Sequence, residues 1–424
     1  MILATIVFFA LLFFGVPVAF VMLGASVFYF IENPMMASIV AQRMSSSLES
    51  FPLLAVPFFV FAGAAMARGG IADRLYDLAE GMVGHWRGGL AQVGVLNSLF
   101  MGAMSGSANA DAAIDARSLV PIMRRQGYSN AFGSVISAVS GVIAPIMPPS
   151  IGLIIYGLLT NTSIGKLFLG GVVPAFLIAF VLMAAVRYVA LRRNYAPSRE
   201  RRLPLRDLAV RCRGALWALA MPVLLIVGLR VGWFTPTELG AMAALYALAI
   251  GLFVYRGFGV ADVYDLLRES AYTTASVMFI VAAAGVLGVV LALEQVPQQI
   301  IGALLAISDN KYVVLVVINV ALLVLGTVLE GLALLVILAP LLLKVTTSLG
   351  IDPVHFGVVL VFNTTIGSIT PPVGTVLYTV CAITKCTIEE FSVELVPFLI
   401  GLVGLLFLLT FFPPLVTFLP ELMF

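Results

Sequence analysis

Long apolar segments recur along this chain, and they constrain its fold more than any other sequence feature. An α-helix needs about 20 mostly apolar residues to cross a hydrocarbon core about 30 Å thick. None of the segments alternates polar and apolar residues as the strands of a membrane barrel do, so we interpret them as helices. The sequence therefore predicts an all-α polytopic membrane protein, with clear spans at 1–30, 167–191, 216–228, 239–255, 272–293 and 396–419.

The composition agrees with this prediction. Of 424 residues, 62% are hydrophobic and 10% charged, whereas a soluble domain is about half apolar and a quarter charged. The first segment lacks a basic start and a small-residue cleavage site, so we expect a retained helix and not a signal peptide. Three cysteines without metal-ligand spacing give no reason to expect a disulfide, zinc or any cofactor.

A basic connector divides the chain. Nine arginines and two acidic residues lie between Arg187 and Arg213, and the positive-inside rule places such a segment in the cytoplasm. Nothing aromatic or repetitive accompanies the arginines, so we expect a membrane-lipid environment and no nucleic-acid partner. We assign a first half at 1–192, the connector at 193–213 and a second half at 214–424.

The two halves contain a repeat. Residues 135–157 align with 358–380 at a constant offset of 223, and Pro148 and Pro149 fall on Pro371 and Pro372. Each proline pair interrupts an apolar span, where it removes an amide donor and clashes with the preceding turn. We therefore predict broken helices at about 131–159 and 355–384. Matching breaks in two repeats indicate a transport site near the membrane midplane.

A polar or small-residue interruption precedes each break, within 96–123 and 312–343. We interpret both segments as re-entrant hairpins, with tips at 105–109 and 330–331. Arg124 and Arg125 suggest that the first hairpin opens to the cytoplasm, and counting the spans after the connector places the second opening outside. The repeats are then inverted, an arrangement that suits alternating access.

The candidate site residues surround these interruptions. Small and hydroxyl residues in SGSANAD at 105–111 suit oxygen coordination of a cation such as sodium, or close helix packing. Asp111, Asp115 and Glu330 are ionisable groups at membrane depth, where a functional role is the default expectation. Asp111 and Asp115 could instead form a hairpin salt bridge with Arg117. Polar residues and glycines surround the breaks: Ser140, Gly141, Ser150, Asn363, Thr364, Gly367 and Thr370. Backbone groups exposed there would bind sodium and a carboxylate, or else the Ser and Thr side chains only mend the proline kinks.

Four phrases in this order resemble the large membrane subunit of tripartite ATP-independent periplasmic (TRAP) transporters: GAMSGSANADAA, APIMPPSIGLIIYG, LGIDPVHFGVV and FNTTIGSITPPVG. The likeness covers essentially the whole chain. It implies an elevator-type fold of the ion-transporter superfamily, with inverted repeats that each contain a re-entrant hairpin and a broken helix. It also implies inward sodium coupling, a small four-helix membrane subunit and a periplasmic solute-binding protein that delivers a small organic acid.

The resemblance further implies site residues. It assigns a first sodium ion to Ser105, Gly106, Ser107, Asn109, Ser140, Gly141, Ala144 and Pro145, and a second to Glu330, Gly331, Thr364, Gly367, Thr370 and Pro372. With the residue patterns above, the expected solute contacts are Asn109, Asp111, Ser150, Glu330 and Asn363. The family usually has glycine at the place of Ala144 and aspartate at that of Glu330, so the ion geometry and the solute pocket are expected to differ there.

Two other functions fit parts of the sequence. A stand-alone sodium/carboxylate symporter would share the hairpins but need no binding protein, and a neighbouring gene for a secreted receptor would distinguish the two. An intramembrane enzyme is disfavoured, because no paired aspartates, zinc ligands or serine with a base occur within a span. No phosphate-binding loop is present, so an ion gradient must supply the energy. The solute class stays open among dicarboxylates, keto acids, sugar acids and sialic acid.

Overall fold

A computed structural model describes residues 2–32, 38–308 and 310–423, and these ranges fold into a bundle of helices. In the first half they are α1 (Ile2–Phe13), α2 (Val18–Glu32), α3 (Ser38–Leu48), α4 (Ala55–Arg68), α5 (Ile71–Val83), α6 (Gly89–Ser105), α7 (Ala108–Arg125), α8 (Asn130–Gly141), α9 (Ile151–Thr160) and α10 (Ile164–Arg192).

The second half of the chain continues in the same way. Its helices are α11 (Leu205–Val231), α12 (Pro236–Ala249), α13 (Asp262–Leu293), α14 (Val296–Ile307), α15 (Lys311–Gly326), α16 (Gly331–Ser348), α17 (Pro353–Ile369), α18 (Thr375–Thr384), α19 (Ile388–Phe411) and α20 (Pro414–Met423). One π-helical turn, Ile250–Val254, extends α12.

Several of these helices are long and apolar enough to cross a membrane. Among the described residues, seven such spans occur: Phe51–Arg68, Ile164–Arg192, Leu205–Val231, Pro236–Val254, Asp262–Leu293, Gly331–Ser348 and Ile388–Phe411. Large apolar side chains cover their outer faces, including Phe176 and Phe180 on α10, which are 54% and 71% exposed. Such a surface suits lipid, in which helices satisfy their own backbone groups. The predicted all-α membrane fold is confirmed.

Two of the spans expected from hydropathy are wrong in detail. The predicted span at 1–30 is two helices over its described residues 2–30, because the chain turns at Gly15, whose φ is +73°, and Pro17 follows it. Residues 396–419 are likewise divided between α19 and α20, with Pro413 at the junction. Hydropathy alone cannot detect these turns, because glycine and proline interrupt a helix without making the segment polar.

The basic connector is partly helical and is held against α5. Its residues from Leu205 onward form the first turns of α11. Arg199 and Arg211 both pair with the carboxylate of Glu80 on α5, at nitrogen–oxygen distances of 3.0 and 3.1 Å. These contacts fasten the connector to the first half of the chain.

The two repeats fold alike around their interruptions. A first hairpin consists of α6 and α7, and α7 packs on α8; a second consists of α15 and α16, and both pack on α17. The chain leaves helical geometry after Gly141 and after Ile369, and the proline pairs lie in the connecting turns before α9 and α18.

Helix caps also follow the repeat. Ser107 caps α7 and Glu330 caps α16, while Ser129 caps α8 and Asp352 caps α17. Both pairs have the offset of the sequence repeat, since 330 − 107 and 352 − 129 equal 223. A side-chain acceptor at an N-cap satisfies a free backbone N–H. The same backbone turns are therefore stabilised in both halves.

Candidate functional site

A cavity of about 130 Å³ lies where both hairpin tips and both broken helices meet. Its lining includes the first residues of four helices: α7, α9, α16 and α18. Seven of the predicted site residues line it: Gly106, Ser107, Asn109, Pro145, Glu330, Gly331 and Thr364. Residues that are more than 200 positions apart in the chain thus contribute to one space.

The first hairpin tip lies in close contact with the backbone of the first break. Gly106 has a φ of +58°, and a Cβ there would lie 2.8 Å from the carbonyl oxygen of Pro149. Only glycine meets both conditions without strain. The hydroxyl of Ser107 accepts a hydrogen bond from the Ala110 amide at 3.4 Å and so begins α7. This turn leaves Asn109 at the cavity.

The second tip is joined to the second break by a backbone hydrogen bond, in which the Val373 amide donates to the Thr327 carbonyl at 2.9 Å. Glu330 begins α16, and its Oε2 accepts from the Ala333 amide at 2.9 Å. Next to it, a Cβ on Gly331 would lie 3.3 Å from the carbonyl oxygen of Thr364. The partly buried Glu330 is the one carboxylate among the described cavity residues.

Behind its tip, each hairpin packs closely against the broken helix of its own repeat. In the second copy, a Cβ on Gly367 would lie 2.6 Å from the Cα of Gly326. In the first copy, Ala144 occupies the place of Gly367, since 367 − 144 is 223. The residue facing it is also a glycine, Gly102, where an added Cβ would lie 2.9 Å from the Ala144 Cα.

Several buried oxygen atoms around the cavity have no hydrogen-bond partner in the described part of the chain: Ser105 Oγ, Asn109 Oδ1, Asn363 Oδ1 and Thr375 Oγ1. Leaving a buried polar atom unpaired costs about 1–3 kcal/mol, so these atoms fit ligands for an ion or water. Hydroxyl and amide oxygens suit a hard cation such as sodium. Within the described residues, no group of three His, Cys, Asp or Glu side chains could hold a metal ion.

Other predicted residues lie behind the cavity wall and bond within the protein. Ser150 caps α9, and its hydroxyl donates to the Pro145 carbonyl. The hydroxyl of Thr370 donates to the Ile366 carbonyl at 2.8 Å. These two side chains stabilise the turns at the breaks. The remaining predicted residues outside the lining are Ser105, Asp111, Ser140, Gly141, Ala144, Asn363, Gly367 and Pro372.

Buried polar networks connect these outer residues to the hairpin arms. The amide nitrogen of Asn363 donates to both the backbone carbonyl and the side-chain oxygen of Asn319 at 3.0 Å, and Asn319 donates to Thr410 at 2.9 Å. In the other repeat, Ser140 takes the place of Asn363, since 363 − 140 is 223. Its hydroxyl bonds to the Ile136 carbonyl at 2.7 Å and lies 3.5 Å from Asp115.

The possible salt bridge from Asp111 or Asp115 to Arg117 is absent among the described residues. Asp115 instead accepts hydrogen bonds from Asn97 at 3.3 Å and Ser98 at 3.1 Å, and both aspartates are buried. These two partners on α6 were not predicted from the sequence. The sequence signal that could have indicated them is that Asn97 and Ser98 are adjacent polar residues inside an apolar helix.

Further cavity residues were also missed. Thr365 and Ser368 lie within the second motif and share a face of α17 with Val361, so helical spacing could have indicated them. Thr375 begins α18 directly after the second break. Thr273 belongs to α13, outside the repeat motifs, and no sequence pattern distinguishes it from other hydroxyl residues in spans.

Two solved structures have a similar fold. The Alcanivorax borkumensis YdaH transporter aligns with a TM-score of 0.64 at 16% identity, covering 89% of this chain and 88% of that one. Neisseria gonorrhoeae MtrF, from a class of antimetabolite efflux pumps, aligns with a TM-score of 0.59 at 13% identity, covering 90% and 84%. These similarities concern the fold, and they confirm the predicted fold class.

Sequence comparison is more specific. The sialic acid TRAP transporter large permease of Vibrio cholerae is 40% identical over 415 residues, which are 97% of this chain and 96% of that protein. The C4-dicarboxylate TRAP transporter large permease of Pseudomonas aeruginosa is 38% identical and covers 90% and 89%. A family profile for the DctM component of tripartite ATP-independent periplasmic transporters matches residues 5–415. The chain belongs to this DctM family.

Membership of the DctM family makes the chain a transporter permease and not an enzyme. With its apolar spans, it is a multi-pass protein of the bacterial inner membrane. The resemblance drawn from the four sequence phrases is confirmed. The hairpin tips, broken helices and cavity described above are thus features of a TRAP large permease.

Proposed function

We propose that this permease carries a small organic acid into the cell together with sodium ions, and that the cavity between the hairpin tips holds the solute. The observation that carries the proposal is the convergence of four helix N-termini, two from each repeat, on this one cavity. Helix N-termini present free N–H groups and positive partial charge, which favour a carboxylate.

The charge balance of the cavity supports sodium coupling. Among the described residues that line it there is one carboxylate, Glu330, and no lysine or arginine. A carboxylate solute would therefore enter a site that already contains an acidic group. Sodium ions at the two tips would supply the missing positive charge, with Asn109 and Thr375 offering the unpaired oxygens described above.

The same geometry suggests which parts move. Each tip contacts the broken helix of its own repeat through backbone atoms, at Gly106 with Pro149 and at Thr327 with Val373. We propose that the hairpins and broken helices travel together as one body, as in an elevator mechanism. An ion bound between tip and break would hold each hairpin closed during that movement.

The relatives suggest the solute class and the partners. They are named as permeases for sialic acid, 2,3-diketo-L-gulonate, C4-dicarboxylates and isethionate, so we propose an organic acid for this chain too. TRAP transporters are tripartite by name. We therefore propose a small four-helix membrane subunit and a periplasmic solute-binding protein as partners, and not a stand-alone symporter.

Uptake of radiolabelled acids into liposomes tests the proposal. The permease, reconstituted with the small subunit, is given an inward sodium gradient with or without the solute-binding protein. We expect uptake only when both the gradient and the binding protein are present. Undiminished uptake with potassium on both sides would refute sodium coupling, and full uptake without the binding protein would establish a stand-alone symporter.

A further inference from the structure

An open groove of about 820 Å³ lies between α10 and α19, far in sequence from the hairpin tips. At one end the two helices touch, since a Cβ on Gly401 would lie 2.8 Å from Val181. At the other end Arg193 and Glu394 form an ion pair with a nitrogen–oxygen distance of 2.5 Å. The groove is therefore bounded by α10 contacts at residues 181 and 193.

The length of this groove matches one leaflet of a bilayer. Arg193, the residue directly after α10, is twelve positions beyond Val181, and twelve positions correspond to about 18 Å of helix. Half of a hydrocarbon core about 30 Å thick is about 15 Å. The ion pair thus lies near the level of the headgroups when the contact at Val181 lies near the midplane.

The walls of the groove suit an acyl chain. Val393, Val396 and Ile400 on α19 are 74%, 51% and 68% exposed, and Tyr188 on α10 is half exposed. Exposed apolar side chains of a membrane protein contact lipid tails and not water. The groove therefore presents a continuous apolar path to the surrounding lipid.

The basic end of the groove favours an anionic headgroup. The Arg192 guanidinium lies 4.7 Å from the centre of the Tyr188 ring, and it pairs with no carboxylate in the described part of the chain. Arg193 shares its charge with Glu394 but its side chain remains 42% exposed. Arginine binds phosphate through two parallel N–H groups. The mouth of the apolar groove therefore has Arg192, which pairs with no carboxylate in the described part of the chain, and Arg193, which is paired with Glu394.

The leaflet can be inferred from the chain that follows. α10 leads directly into the arginine-rich connector, which the positive-inside rule places in the cytoplasm. The cytoplasmic leaflet carries anionic lipids, and basic pockets between spanning helices bind their headgroups. The charge of the two arginines, the length of the groove and its position on the cytoplasmic side therefore all favour an anionic lipid.

We propose that an anionic phospholipid of the cytoplasmic leaflet binds in this groove, with its phosphate at Arg192 and Arg193 and an acyl chain along α19. The lipid connects the two repeats, because α10 belongs to the first and α19 to the second. The site is separate from the solute cavity and does not depend on the proposed transport reaction.

Photo-crosslinking tests the proposal. The full chain is placed in phosphatidylcholine nanodiscs with a trace of phosphatidylglycerol that carries a diazirine in its acyl chain. We expect labelled peptides from 181–193 and 393–401. Unlabelled phosphatidylglycerol should compete several-fold better than phosphatidylcholine with the same chains.

Variants make the test specific. Arg192→Gln should weaken competition by phosphatidylglycerol about fivefold, the contribution of one basic residue near an anionic membrane surface, and Arg192→Lys should retain most of it. Arg187→Gln is the matched control, because Arg187 is exposed on the same helix but does not line the groove. Val396→Trp should fill the groove and remove the label whatever the headgroup.

Three results would overturn the proposal. Equal competition by the two lipids would mean that the headgroup is not recognised. Labelling unaffected by both Arg192→Gln and Val396→Trp would mean that the lipid binds elsewhere. A disulfide-linked dimer formed through Ile400→Cys, with no labelled peptide from the groove, would show that a second copy of the chain covers it.

Discussion

Glu330 offers the sharpest test of the solute cavity, because the structure gives its carboxylate a structural role beside the proposed functional one. Its Oε2 caps α16 through the Ala333 amide at 2.9 Å. Removing an N-cap acceptor costs about 0.5–2 kcal/mol of stability, and losing a negative charge near a helix N-terminus costs about 0.3–1 kcal/mol. Either loss would lower transport if the hairpin tip unfolded.

The Glu330→Gln substitution separates the two roles. Glutamine keeps the size and an amide oxygen that can still cap α16, so we expect the free energy of unfolding to fall by less than about 1 kcal/mol. A carboxylate and a sodium ion about 4 Å apart attract each other by about 4 kcal/mol at an effective dielectric constant of about 20, before desolvation is subtracted. Losing that attraction should raise the half-saturating sodium concentration more than tenfold.

The assay is solute uptake in liposomes over a range of sodium concentrations, with thermal unfolding of the same preparations. Glu330→Asp should keep a measurable fraction of uptake, because it retains both charge and cap. Ser129→Ala is the matched control, since it removes an N-cap from α8 at a residue outside the cavity lining without removing a charge. Normal uptake by Glu330→Gln with unchanged sodium dependence would falsify the assignment of Glu330 to the site.

Three further outcomes are expected. Gly367→Ala should lower the free energy of unfolding by about 1–3 kcal/mol, because it forces a methyl group into the backbone of α15. The control Gly404→Ala should not destabilise the protein, because nothing lies within 4 Å of the added Cβ. Equal melting temperatures for the two variants would contradict this prediction. Asp115→Ala should lower the melting temperature in detergent, because each buried donor left without an acceptor costs about 1–3 kcal/mol, and an unchanged value would show that water replaces the carboxylate. In a Cys212→Ser background, Glu200→Cys should react with an impermeant thiol reagent only after the cytoplasmic side is opened; labelling in intact spheroplasts would refute the predicted topology.

The interruptions of the helices were predictable because their causes are local. Proline cannot donate a backbone hydrogen bond and clashes with the preceding turn, so Pro148–Pro149 and Pro371–Pro372 identify the two breaks wherever the helices pack. The turns at Gly15 and Pro413 have the same kind of cause. They were not predicted because the mean hydropathy of about 20 residues does not reveal a single turn.

The sites of the polar side chains were only partly predictable. Ser150 and Asn109 look alike in the sequence, as polar residues beside an interruption. In the structure the Ser150 hydroxyl is used by α9 and the Pro145 carbonyl, while Asn109 faces the cavity with a free oxygen. Asp111 and Asp115 were candidates for a salt bridge, yet Asp115 is held by Asn97 and Ser98 from the neighbouring arm.

The sequence by itself determined that the chain is a helical membrane protein, that two repeats are broken at matching prolines, and that Glu330 stands alone among apolar residues. These properties depend on composition and on interactions within one turn of helix. Only the tertiary structure decided which oxygens meet at the cavity, and it brought Thr273 of α13 into the same lining as Thr375 of α18. The reason is physical: a hydroxyl on a helix can bond to its own backbone or face a neighbour, and the packing of the whole bundle sets which face each helix turns inward.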